Sequence, residues 1–125
     1  MANTTDGFTL LELLLVMAMV AILVVVLVPN LAGARTKAQD SATMAYLRHC
    51  ASALEFSRDS LGKLPNPAPT TCEDAALGEY AQVRPDSVKQ SQVTVTQNGT
   101  AYTLTAISQS GKAMAYDQNG FRELP

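Results

Sequence analysis

One stretch limits the fold before anything else is read. Between Phe8 and Val28 every residue is apolar except Thr9 and Glu12. At about 1.5 Å per residue, a helix of this run is roughly 30 Å long, the thickness of a bilayer's hydrocarbon core. The chain has 125 residues. What remains outside the run is one modest domain, too small to surround such a helix as its own core. A carboxylate inside hydrocarbon costs roughly 2.5–3.5 kcal/mol near a bilayer centre on insertion scales. Glu12 therefore needs a partner.

A secretory signal peptide fits poorly. Ala32-Gly33-Ala34 resembles a small-residue cleavage site, but Met1–Gly7 carries no Lys or Arg. The apolar run is also too long for a signal peptide, and it contains an acid. A plain signal anchor explains the length but gives Glu12 no purpose. The net charge of −2 gives no electrostatic case for nucleic acid. Cys50 and Cys72 are the only cysteines. Outside the cytoplasm such a pair forms a disulfide; inside it, two buried thiols.

The sequence Gly7-Phe8-Thr9-Leu10-Leu11-Glu12, the apolar run, and Val28-Pro29-Asn30-Leu31 near its end resemble type IV pilins and the related pseudopilins of type II secretion. The likeness is specific from Gly7 to about Leu47 and general beyond. It implies cleavage by a prepilin peptidase between Gly7 and Phe8, and N-methylation of Phe8. It also implies that Glu12 meets the α-amino group of Phe8 on a neighbouring subunit in a filament. Paired, the two charges offset each other in apolar surroundings; separated, each is a buried charge. Pro29 takes the position of the family's helix-bending proline, and Gly33 weakens the helix further. The positive-inside rule, applied alone to Arg35 and Lys37, puts the C-terminal part in the cytoplasm. The resemblance puts it outside, and its motif is the more specific signal. An external location in turn implies a Cys50–Cys72 disulfide.

Beyond the span, Asn30 to Leu61 reads as an amphipathic helix. Met44, Leu47, Ala51, Leu54 and Leu61 share a face, interrupted by Arg58, with Cys50 beside them. Gly62 and three prolines then start a loop to about Gln90, with a short helical turn capped within Thr71–Asp74 and ending at Gly78. Alternation in Gln92–Thr96 and Tyr102–Ala106, with Asn98-Gly99 between, predicts a hairpin. Ala113–Tyr116 and Phe121–Leu124 read as further strands. Val93, Val95, Tyr102, Leu104, Ile107, Met114, Tyr116 and Phe121 are the expected sheet side of the core. Asn98-Gly99-Thr100 also fits a glycosylation sequon, but the hairpin turn accounts for the same residues.

Catalytic chemistry is not indicated. His49 is the only histidine. It points about 100° away from Cys50 on a helix. The segment with Asp117 and Glu123 lacks the acids of the calcium loop carried by major pseudopilins and reads as a turn. No metal, cofactor or nucleic-acid site is expected.

The expected fold is α+β and type IV pilin-like: a long N-terminal helix packed on an antiparallel sheet of three or four strands. The expected organisation is a leader over 1–7, a transmembrane and filament-core helix over 8–29, and an external domain over 30–125. The expected function is a structural subunit. It is stored in the inner membrane by a single span and then polymerised with copies of itself into a cell-surface filament. Its partners would be the prepilin peptidase and methylase and the inner-membrane assembly machinery. Two alternatives stay open: a type II secretion pseudopilin, and a membrane-anchored binding module that never polymerises.

Overall fold

The computed structural model describes residues 6–125. Of the expected leader over 1–7, residues 1–5 lie outside the described residues. The chain divides into two compact units, Met1–Arg35 and Thr36–Pro125. One helix, α1 (Leu10–Phe56), contributes to both.

In the first unit, the large apolar side chains from Phe8 to Leu31 are exposed. Among the described residues, α1 is the one helix long and apolar enough to cross a membrane, judged by length and composition. It is continuous across Pro29 and Gly33. Pro29 offers no N–H to the carbonyl of Val25. Beside it, Asn30 Nδ2 donates to the Val26 carbonyl at 3.2 Å.

The second unit is built from the outer part of α1 and a four-stranded antiparallel sheet in the order β1 (Val88–Thr96), β2 (Ala101–Ser108), β3 (Ala113–Asp117), β4 (Gly120–Glu123). Thr43, Tyr46, Leu47, Cys50, Ala51, Ala53 and Leu54 form the buried stripe of α1. Their spacing of three and four keeps them on one face. Opposite lie two cross-strand rows. Val93 pairs with Leu104, Leu104 with Tyr116, and Tyr116 with Phe121; Ser91 pairs with Ala106, and Ala106 with Met114. Pairs on one face of adjacent strands interact directly, so these rows are the sheet half of the core.

Three expectations about the core and loops change. Ile107 is only half-buried and lies on the other face; Ala106 takes the core position. Strand β1 begins earlier than expected and has a register shift between Val88 and Gln90. One extra residue there lets both Val88 and Ser91 point inward. The helix ends at Phe56, and Leu61 is 79% exposed. The reason is a competing turn. Asp59 Oδ1 accepts from the N–H groups of Leu61 and Lys63 at 2.9 and 2.8 Å, and Asp59 N donates to the Lys63 carbonyl at 2.9 Å. An Asp side chain that satisfies the backbone locally offers it an alternative to the helix.

The hairpin turn is longer than a two-residue turn. Thr96 pairs with Ala101, and Asn98 and Gly99 both have positive φ, 59° and 85°. These are the two residue types that enter the left-handed region most readily. The short turn after the proline-rich loop is a 3-10 helix, Ala75–Tyr80, capped by Asp74.

Candidate assembly and processing site

Glu12 is held by its own chain. Thr9 N and Thr9 Oγ1 both donate to Glu12 Oε2 at 3.1 Å, and Glu12 N donates back to Thr9 Oγ1 at 3.3 Å. Leu13 N donates to the Thr9 carbonyl at 3.2 Å and closes the first turn. This is a capping box, in which residues three apart satisfy each other's otherwise orphaned groups at a helix start. Thr9-Leu10-Leu11-Glu12 spells that motif in the sequence, so the role of Thr9 was legible there and was missed. Both donors converge on Oε2. Among the described residues Oε1 makes no hydrogen bond, which leaves that oxygen open to a second donor. An acid in the first turn also suits the positive end of the helix dipole. Gly7, one residue ahead of Phe8, is exposed and has nothing within 4 Å of where a Cβ would stand.

In the second unit, Cys50 and Cys72 form a disulfide with their Cα atoms 5.5 Å apart. Both are fully buried. The bridge ties the loop to α1, and two backbone bonds extend the attachment. Val93 N donates to the Thr70 carbonyl, and Gln82 N to the Cys72 carbonyl, each at 2.8 Å. The first of these covers part of the open edge of β1. Because Cys50 is bridged, the neighbouring His49, exposed on α1, has no thiol to activate.

Arg58, which breaks the apolar stripe, is a clamp. It donates to both oxygens of Glu55 at 2.6 and 3.0 Å, and to the carbonyls of Gly62 and Thr100 at 2.7 and 3.1 Å. Its guanidinium lies 5.8 Å from the centre of the Tyr102 ring. One side chain thus joins the end of α1, the loop and the hairpin. At the other end of β2, Ser110 in the β2–β3 turn donates to Asp40 of α1. That bond is the main cause that holds the Asp40 carboxyl below its ordinary pKa.

The clamp has a pH dependence. Hydrogen bonds from Arg58, first, hold the Glu55 pKa below its ordinary 4.5. A depressed carboxylate contributes stability that is complete above the unfolded-state pKa and is lost as pH falls through the folded-state pKa. Thermal melts of the chain in detergent should therefore show a drop in midpoint below about pH 4.5. Glu55→Gln should make the drop shallower. An unchanged slope in that variant would show that Glu55 does not carry it.

Residues 39–123 match the family described as Pilin A4, and residues 3–28 match the prokaryotic N-terminal methylation motif. The chain belongs to the Pilin A4 family of type IV pilins. It is 53% identical over 45 residues to the type IV wide pilus major component PilA4 of Thermus thermophilus, which is 36% of this chain and 34% of that protein. The matched stretch thus spans about a third of the relative's length. A solved type IV pilin protein from Thermus thermophilus is 28% identical, with a TM-score of 0.55, and covers 70% of this chain and 99% of its own. The loop, pinned by the disulfide, and the sheet both pack on the buried stripe of α1.

Proposed function

We propose that this pilin is cleaved between Gly7 and Phe8, methylated on the new α-amino group, held in the inner membrane by α1, and polymerised with copies of itself into a cell-surface filament. The observation that carries this reading is the state of the first unit. A methylation motif leads into a helix whose apolar side chains are exposed, with a single carboxylate fixed at its tip. Lipid covers such a helix before assembly, and neighbouring helices cover it afterwards. Copies of α1 thus exchange one apolar environment for another at little cost in burial. The ammonium freed on Phe8 sits at the positive end of a helix, where it is disfavoured without an acid. Glu12 Oε1 of a neighbouring copy supplies that acid and fixes the axial offset between copies. Before cleavage no ammonium exists at Phe8, so processing switches assembly on. Pro29 and Gly33 provide the place where α1 bends or stretches when copies pack. The pilin family match favours a surface filament over a secretion pseudopilus.

Sheared surface filaments, imaged by electron microscopy and analysed by intact mass, test this. The expected result is a long filament whose subunit begins at N-methyl-Phe8. A short stub within the envelope would instead support the pseudopilin. A mature chain beginning at Thr36 or later would identify a secretory signal peptide.

A further inference from the structure

The second unit exposes an aromatic ledge. The rings of Phe56, the last residue of α1, and Tyr80 stack with centroids 5.7 Å apart and planes 23° apart. Phe56 is 72% exposed and Tyr80 40%. Their supports are rigid. Leu54 and Leu77, close in sequence to each, are buried in the core, and the Cys50–Cys72 bridge ties the loop that carries Tyr80 to the helix that carries Phe56. Preorganised aromatic rings on such a base have the character of interface anchors, which gain area without losing much side-chain freedom.

The arginines indicate what covers the ledge. Arg48 lies over Phe121 at 5.0 Å and Arg58 over Tyr102 at 5.8 Å. Arg84 pairs with Glu73 at 3.5 Å and Arg122 with Asp117 at 3.7 Å. Arg35 is exposed and, among the described residues, meets neither an acid nor a ring. Among the described residues the Phe56–Tyr80 pair likewise has no cation over it, and Glu79, exposed and next in sequence to Tyr80, has no basic partner. Among the described residues Lys37, Lys63 and Lys89 also lack acid partners, but a guanidinium stacks on a ring better than a compact, strongly hydrated ammonium does. The described residues thus hold one guanidinium with no acid or ring partner and, separately, a ring pair with no cation, next in sequence to a carboxylate with no basic partner.

We infer that Arg35 of one copy docks on the Phe56–Tyr80 ledge of a second copy, with Glu79 of that second copy as its acid partner. The contact rests on the filament reading above and adds a second point of recognition, on the external domain, to the one at Glu12. A cation held between a ring face and a carboxylate is fixed in direction as well as distance.

Two measurements in filament-forming cells test it. The first is charge exchange. Arg35→Glu and Glu79→Arg should each lower filament number at least about tenfold at equal subunit level, and the double exchange should restore most of it. Wild-type filaments in both single variants, or a double variant no better than the worse single one, would overturn the contact. The second places a photo-crosslinking phenylalanine analogue at position 80. Irradiated filaments should give an adduct with the segment around Arg35 of another copy. Filaments with no adduct, with an adduct elsewhere on the subunit, or with a different protein captured would overturn the contact alone. A wild-type chain that forms no filament would overturn the assembly reading and this contact with it.

Discussion

Glu12→Ala will leave the subunit processed and inserted in the membrane but unable to form filaments. The substitution removes the acid from an apolar run, so insertion becomes easier and loss of polymer cannot be attributed to poor insertion. In a packed filament the Phe8 ammonium would then stand without its acid. An unpaired charge of this kind costs roughly 3–5 kcal/mol per contact, against which a helical polymer has no compensation. Glu12→Gln keeps the shape and one acceptor but not the charge, and should be nearly as severe. Thr9→Val separates the two uses of the carboxylate. It removes the hydroxyl that donates to Oε2 and leaves the charge, so it should lower filament number less than Glu12→Ala, with Thr9→Ser close to wild type. Filament counts with immunoblots of membrane fractions decide the matter. Wild-type filament numbers for Glu12→Ala at equal subunit level would refute the ion pair and leave a plain membrane anchor as the better reading.

Reduction of the Cys50–Cys72 bridge will lower the stability of the second unit by about 3 kcal/mol, since it opens a loop with a sequence separation of 22 residues. For a domain of this size that shift is roughly 12–24 °C in melting midpoint. The loss is large because the segment between Phe56 and β1 contributes little regular structure of its own. Leu64, Cys72 and Leu77 are its main buried apolar anchors. Thermal melts in detergent, with and without reductant, measure it. Cys50→Ala/Cys72→Ala should melt at or below the reduced protein, because both sulfurs are fully buried and their removal also leaves a void. The Phe56–Tyr80 stack should loosen with the bridge, so reduced subunits should also assemble poorly. A midpoint within about 2 °C of the oxidised protein would show that the core and backbone bonds hold the loop by themselves.

Much of this protein is legible along the chain because its strongest signals are local. The apolar run from Phe8 to Val28 specifies a helix and its surroundings at once, since only a helix satisfies its own backbone in hydrocarbon. The methylation motif over residues 3–28, with Glu12 inside it, is likewise a pattern of neighbouring residues. Alternation marks β2 and β3, and Asn98-Gly99 marks the turn before β2, because a period of two and a positive φ are properties of neighbouring residues. With two cysteines there is only one possible bridge, so the location outside the cytoplasm implied by the resemblance was enough to predict it. Thr9 belongs in the same class: its capping box is written in four consecutive residues.

Other features depend on groups far apart in sequence. Val88 joins Ser91 and Val93 on the core face only because the shift at Val88–Gln90 inserts one extra residue, which is a matter of pairing between β1 and β2. Leu61 continues the helical stripe on paper. The Asp59 turn takes the backbone away from the helix, and Arg58, an interruption in the pattern, closes the end of the domain by reaching Thr100 across 42 positions. The stacking of Phe56 on Tyr80 brings together the end of α1 and a loop whose only regular structure is one 3-10 turn. Periodicity assigns each residue to a face of its own element. Only the assembled core decides which faces meet, which polar groups reach across, and which rings are left outside.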